Sequence, residues 1–138
     1  MQVLIDTNIW SFAFRRTKTD LSVREAAHAA MLGELIRQDR ARLIGPIRQE
    51  LLSGIREQAQ FDRLRNALRS FPDEPLAMDD FEGAVQCGNR CRSKGISGSP
   101  IDFLICAVAL HRDWQIFTTD PDFGAYAKVL ALRLLTAR

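Results

Sequence analysis

Lysine is nearly absent from this 138-residue sequence, with 3 Lys against 16 Arg, and there are only 3 Cys and 2 His. Long apolar runs are missing too. The longest, Phe103 to Leu110, covers eight residues, whereas a bilayer helix needs about 20, so no membrane span is expected. The opening Met1-Gln2-Val3-Leu4-Ile5-Asp6 lacks a basic start and meets an acid at residue 6, so a secretory leader is not expected and the cytoplasm is the expected compartment. Cys87 and Cys91 fall one helical turn apart, but no His lies nearby to complete a zinc set, so they are read as packing residues. Cys106 sits inside the apolar run. Neither sign of charge dominates: 19 basic against 17 acidic residues leaves +2, too little to make the whole protein a polyanion binder. The preference for Arg suits a phosphate-gripping surface equally as well as it suits a coding bias.

What is present is an ordinary globular composition, 46% hydrophobic and 26% charged. At about 150 residues per domain, residues 1–138 are expected to form a single domain burying roughly two-thirds of its unfolded surface. Apolar runs alternate with helical patterns. Gln2 to Ile5 reads as a buried parallel strand followed by a helical start over Asn8 to Phe14. Ser22 to Arg37 has helical periodicity. Arg42 to Gly45 reads as a second strand, with Pro46 opening the helix that carries Glu50. Phe61 to Phe71 is an amphipathic helix stopped by Pro72, and Leu76 to Met78 reads as a third strand. Helices are expected over Asp79 to Lys94, closed by Gly95, and over Ser99 to His111. A strand over Gln115 to Thr119, a helix over Asp122 to Val129 and a strand over Leu130 to Leu135 complete the chain. Strands separated by helices predict an α/β fold with a mainly parallel sheet between two helical layers.

In such a sheet, functional groups collect beyond the carboxyl ends of the strands. Asp6 follows the first strand, Glu50 the second and Asp120 the one over Gln115 to Thr119, while Asp102 opens the apolar helix. Each acid also has a local use. Ser99-Pro100-Ile101-Asp102 fits a capping box, Asp6 and Asp120 fit N-caps, and Glu50 fits a solvated surface. However, Asp102 and Glu50 directly precede buried runs, where an uncompensated charge is costly. The topology also aims at least three of the four at one sheet edge. Two carboxylates about 4 Å apart repel by about 4 kcal/mol at an effective dielectric near 20, so the set calls for a proton or a cation. Helix N-termini beneath Asp102 and Asp120 favour the ionised forms, and hence the cation. Oxygen-only ligands suit Mg²⁺ or Mn²⁺ rather than zinc. His28 and His111 are far from these motifs along the chain and are read as surface residues. An acidic site of this kind suits phosphodiester hydrolysis.

These motifs resemble the PIN-domain ribonucleases, in particular the VapC-type toxins of toxin–antitoxin pairs. The resemblance runs from Val3-Leu4-Ile5-Asp6-Thr7-Asn8 through Glu50-Leu51-Leu52-Ser53-Gly54, Lys94-Gly95 and Ile101-Asp102-Phe103-Leu104-Ile105-Cys106-Ala107 to Thr119-Asp120-Pro121-Asp122-Phe123, ending at Leu132-Arg133-Leu134-Leu135. It implies a Mg²⁺- or Mn²⁺-dependent endoribonuclease with catalytic Asp6, Glu50, Asp102 and Asp120, and with the metal on Asp6, Asp102 and Asp120. Asp122 is implied as a possible fifth acid, and Asn8 with Thr118 or Thr119 as support for a carboxylate or water. The resemblance also implies a homodimer, an RNA substrate and a cognate antitoxin.

Two basic clusters are candidates for the RNA phosphates flanking the cut: Arg15, Arg16 and Lys18 after the first motif, and Arg90, Arg92 and Lys94 before the third. A solvated face or an antitoxin-facing surface is the alternative. Trp10 and Phe12 beside Asp6 are read as packing residues that could also stack on a base. Among rival chemistries, a receiver-like phosphoryl-transfer domain would need paired acids after the first strand and a late Lys, and a dehalogenase-type phosphatase would need an acid where Asn8 stands. A module whose acidic pocket only docks a basic peptide is the non-enzymatic alternative.

Overall fold

Val3, Leu4 and Ile5 have no accessible surface, and they form the strand β1 (Val3–Ile5) at the interior of a parallel sheet. Burial on both faces is what an unbroken apolar strand requires. The computed structural model describes residues 1–136. Its other strands are β2 (Ala41–Arg42), β3 (Gln115–Phe117) and β4 (Arg133–Leu135), in the order β2-β1-β3-β4. Leu4 is opposite Arg42 on one side and Ile116 on the other, and Ile116 is opposite Leu134. The helices are α1 (Thr7–Trp10), α2 (Val23–Arg37), α3 (Gly45–Leu52), α4 (Gln58–Leu68), α5 (Met78–Ser93), α6 (Pro100–Arg112) and α7 (Asp122–Tyr126).

The strand order dictates the layers. The chain leaves β1 in one direction to reach β2, then crosses back over β1 to reach β3. Right-handed crossovers therefore put the helices of the two connections on opposite faces. This is the α/β arrangement expected from the alternation of runs. The carboxyl ends of β1 and β3 mark the point where the connections diverge, and open α/β sheets place their sites there.

Several elements differ from the sequence expectation. Leu76 to Met78 forms no strand: Pro72 and Pro75 remove ladder donors before it, and the local pairing is instead a single parallel bridge between Leu43 and Asp73. The second strand is Ala41–Arg42 rather than Arg42 to Gly45, because Gly45 already belongs to α3. The first helix does not run evenly to Phe14. After α1 the chain continues as a π-type turn over Ser11–Arg15, closed by Arg16 N–H to Ser11 O at 3.0 Å. The helix expected over Asp122 to Val129 is shorter, Asp122–Tyr126, and the last strand begins only at Arg133.

α6 is the central helix, and Phe103 through Ala109 are all buried. Ser99 caps its start, with Oγ accepting from Asp102 N–H at 3.1 Å, and Pro100 stands at its first turn. Its far end is clamped to α5. Asp80 is 3% exposed and accepts from Arg112 Nη1 at 2.7 Å, Arg112 Nη2 at 3.0 Å and Ala77 N–H at 2.9 Å. His111 Nδ1 lies 3.2 Å from the same carboxylate. A buried acid is tolerated when it is paired and hydrogen-bonded in this way, and the Arg112 guanidinium holds the Asp80 carboxyl well below the usual range. α5 ends as expected, with Gly95 at φ +78° beyond its last turn, a conformation favouring glycine. Cys87, Cys91 and Cys106 are buried free thiols. Among the described residues, no helix is long and apolar enough to cross a membrane.

Candidate active site

Asp6 ends β1 and caps α1, its Oδ1 accepting from Thr7 N–H at 2.8 Å. Its other oxygen, Oδ2, accepts from Thr118 Oγ1 at 2.7 Å, just beyond β3. Asp6 N–H donates to Phe117 O at 2.9 Å, so backbone and side chain both tie the two strand ends together. Thr118 Oγ1 also accepts from Asp120 N–H at 3.0 Å. Asp120 Oδ1 in turn accepts from Asp122 N–H at 2.9 Å, which fixes the tight turn into α7.

That turn brings Asp120 and Asp122 to Asp102 at the start of α6. One carboxylate oxygen from each of the three lies within 4.8 Å of the others. The expected metal set contained Asp6, Asp102 and Asp120; the structure groups Asp122 with Asp102 and Asp120, while both Asp6 oxygens are engaged by Thr7 and Thr118. Asp102 Oδ2 accepts from Tyr126 Oη at 2.7 Å. Glu50 is exposed on α3 and accepts from Thr7 Oγ1 at 3.0 Å, which places it at the open side of Asp6.

Burial is the largest influence on two of these acids, and it pushes both upward. Asp6 is lifted by desolvation, opposed by the Thr118 hydroxyl, and raised further by the charges of Asp102 and Glu50. Asp102 is lifted by desolvation, opposed by Tyr126 and Ser99, and raised by Asp120 and Asp122. The negative charges thus act on one another across one sheet edge, the condition under which a cation would lower the free energy of the site. The donor set fits a hard divalent ion: three carboxylates, with no His or Cys among them.

The remaining expected residues divide. Among the described residues Asn8 makes no hydrogen bond to these acids, and its buried Oδ1 has no partner. Thr119 lines a cleft of about 580 Å³ beside Asp120, together with Phe12, His28, Phe117 and Thr118. His28 is therefore not the remote surface residue expected. It is half-buried, 5.8 Å from the Phe117 ring and 6.3 Å from that of Phe12, because α2 packs on the side of the sheet edge where β3 ends. Trp10 is fully buried and donates to Ile5 O at 3.1 Å, so it is core, as the packing reading had it. In the first basic cluster, Arg15 donates to Leu51 O at 3.2 Å and Arg16 pairs with Glu25 at 2.9 Å. In the second, Arg90 donates to Val129 O at 3.0 Å. Lys18, Arg92 and Lys94 are exposed and make no ion pair among the described residues.

The sequence profile of the PIN domain matches residues 3–129. The chain belongs to the PIN domain family. Its fold is shared with FitAcB from Neisseria gonorrhoeae, at TM-score 0.76 and 19% identity over 99% of this chain and 98% of that one. It is likewise similar to VapBC2 from Rickettsia felis, solved bound to a promoter DNA fragment, at TM-score 0.76 and 16% identity over 98% of each chain. A toxin–antitoxin complex from Klebsiella pneumoniae matches at TM-score 0.66 and 21% identity, over 88% of this chain and 90% of that one. No curated protein sequence matches significantly.

Within this PIN domain, Tyr126 lies outside the motifs that carry the acids, although its phenol touches the Asp102 carboxylate. The one available signal was a lone tyrosine one turn beyond Asp122 in a helix expected to pack on the core. Asp122 is the acid expected as a possible fifth, and the Asp-Pro-Asp turn is the local feature that brings it to Asp120.

Proposed function

We propose that this PIN domain is a Mg²⁺- or Mn²⁺-dependent endoribonuclease and the toxin of a toxin–antitoxin pair. The observation that carries the reading is the convergence of Asp102, Asp120 and Asp122 oxygens within 4.8 Å of one another, beside Asp6 at the divergence point of the sheet. Those three side chains would hold the ion, which when bound polarises a phosphate oxygen and acidifies a water. Thr118 holds Asp6 in place through Oδ2, and Asp6 completes the negative wall on the β1 side. Glu50, exposed and steadied by Thr7, is placed to accept the proton of the attacking water at Oε1 or Oε2. The water oxygen bonds to phosphorus as the bond from phosphorus to one ribose oxygen breaks, and that oxygen leaves with a proton from solvent.

The open cleft beside the acids is lined by half-buried Phe12 and His28, which offer aromatic surface to an unpaired base. Lys18, Arg92 and Lys94 remain candidates for flanking phosphates. The partners under this reading are RNA, a cognate antitoxin and a second copy of the chain; the antitoxin is supported by solved neighbours that include a toxin–antitoxin complex. The test is cleavage of a single-stranded RNA by purified protein with Mn²⁺ and with EDTA, for wild type, Asp102→Asn and Asp120→Asn. Metal-dependent cleavage lost in both variants supports the reading. Cleavage unchanged by EDTA or by both substitutions removes it, and retention of antitoxin binding without any cleavage in wild type would leave a docking module.

A further inference from the structure

We propose that Tyr126 is the positioning residue that aims Asp102 at the cation, an inference that rests on the metal reading above. Tyr126 has no accessible surface, and its Oη donates to Asp102 Oδ2 at 2.7 Å. The ring cannot swing freely. Phe123 meets it edge-on with centroids 5.2 Å apart and planes at 73°, and Phe103 lies against it at 5.0 Å and 51°. Asp102 is thereby held at two points: its backbone N–H by Ser99 Oγ at 3.1 Å, and its carboxyl by the phenol. The phenol thus pins one oxygen of the carboxylate that also comes within 4.8 Å of Asp120 and Asp122 oxygens.

Gly98 makes room for this contact. A Cβ there would overlap Tyr126 Oη and stand 2.8 Å from Tyr126 Cζ and 2.8 Å from Phe103 Cζ, closer than real side chains come. Tyr126 also lies on α7, whose first turn carries Asp122 and which Pro121 alone separates from Asp120. One short segment thus supplies two of the three clustered carboxylates and the hydroxyl that orients the third. Groups that hydrogen-bond a metal ligand fix its orientation, and their loss commonly weakens metal binding 10–100-fold. A phenol that merely satisfied its own burial would contribute to stability and leave the affinity alone.

The experiment is a Mn²⁺ titration of the full chain, followed by the paramagnetic resonance signal of free Mn²⁺, on wild type, Tyr126→Phe and Asp102→Asn. Melting temperatures in EDTA are recorded alongside. Phe keeps the ring and removes only the hydroxyl. The expected result is a folded Tyr126→Phe protein binding Mn²⁺ about 10–100-fold more weakly, its RNA cleavage recovering at high Mn²⁺, with binding abolished in Asp102→Asn. Should Tyr126→Phe bind Mn²⁺ as tightly as wild type while Asp102→Asn loses it, the role of Tyr126 is refuted and the metal site stands. Should wild type bind no Mn²⁺, or Asp102→Asn bind it normally, both fall together. If Tyr126→Phe does not fold, Gly98→Ala decides the matter in the same titration, since its Cβ displaces the phenol: weakened binding supports the role and unchanged binding overturns it.

Discussion

Thr118 Oγ1 and Asp6 Oδ2 lie 2.7 Å apart although 112 positions separate them in the chain. The same hydroxyl oxygen accepts from Asp120 N–H at 3.0 Å, so one threonine couples the end of β1 to the turn that presents Asp120. Replacing it with valine keeps the shape but strands a carboxylate oxygen and a backbone N–H. Thr118→Val should lose about 1–3 kcal/mol of stability, the usual penalty for unpaired polar groups, and should cut the rate of RNA cleavage at least tenfold. Denaturant melts and initial rates check both, and wild-type values in both would refute the coupling.

Asp6 carries a stability penalty with a defined sign. Burial raises its pKa above the ordinary aspartate value of 3.8, so the folded state binds the proton more tightly than the unfolded one. Without metal, stability should therefore fall as pH rises from about 3.8 through the folded value, and stay lower above it. Asp6→Asn removes that ionisation. It should melt about 2–6 °C higher than wild type at neutral pH in EDTA while abolishing cleavage, as happens when a strained functional acid is neutralised. A lower melting temperature would indicate that the hydrogen bonds of Asp6 outweigh its burial.

The local signals in the sequence were informative for the fold. Ser99-Pro100 marked the start of α6, Gly95 the end of α5, and Val3-Leu4-Ile5 a doubly buried strand, because caps and apolar runs depend on neighbours a few residues away. Leu76 to Met78 was misread for the complementary reason: three apolar-leaning residues satisfy a strand pattern, but the flanking prolines and the reach of Leu43 to Asp73 decide the pairing. The site was legible as a set of acids at strand ends. Their grouping was not. Whether Asp6 or Asp122 joins Asp102 and Asp120 depends on the Asp120–Pro121–Asp122 turn and on Thr118, and Tyr126 meets Asp102 only once α7 closes over α6. Arg15, Arg16 and Arg90 looked like free cations in sequence, yet each makes a hydrogen bond within the chain.

The Asp80–Arg112 pair behaves in the opposite sense to Asp6. Its carboxyl is depressed chiefly by the hydrogen bonds from Arg112, so its contribution is present above the unfolded pKa near 3.8 and is lost as pH falls below it. Asp80→Ala leaves half-buried Arg112 with Glu74, 3.1 Å from its Nε, as its remaining ion-pair partner, and the lost charged hydrogen bonds should destabilise the protein by about 1.5–3 kcal/mol, or about 5–10 °C in melting temperature for a chain of this size. It should leave Mn²⁺ affinity untouched, since the pair lies at the far end of α6 from Asp102. Thermal melts at pH 7 and pH 3 check this, and a loss of less than about 1 kcal/mol would mark the pair as dispensable.

An unrestrained endoribonuclease of the proposed kind would harm its host, so under that proposal expression of the chain alone should arrest growth in a bacterial host. Asp102→Ala should relieve the arrest at equal protein level. Equal inhibition by both forms would mean that toxicity does not come from this site.

The most direct measurement is anomalous diffraction from crystals of the full chain grown with Mn²⁺. Carboxylate oxygens bind such hard ions at about 2.0–2.2 Å, so an anomalous peak at that distance from oxygens of Asp102, Asp120 and Asp122 is the predicted result. Well-ordered carboxylates with no peak between them, or a peak held elsewhere on the molecule, would contradict the account.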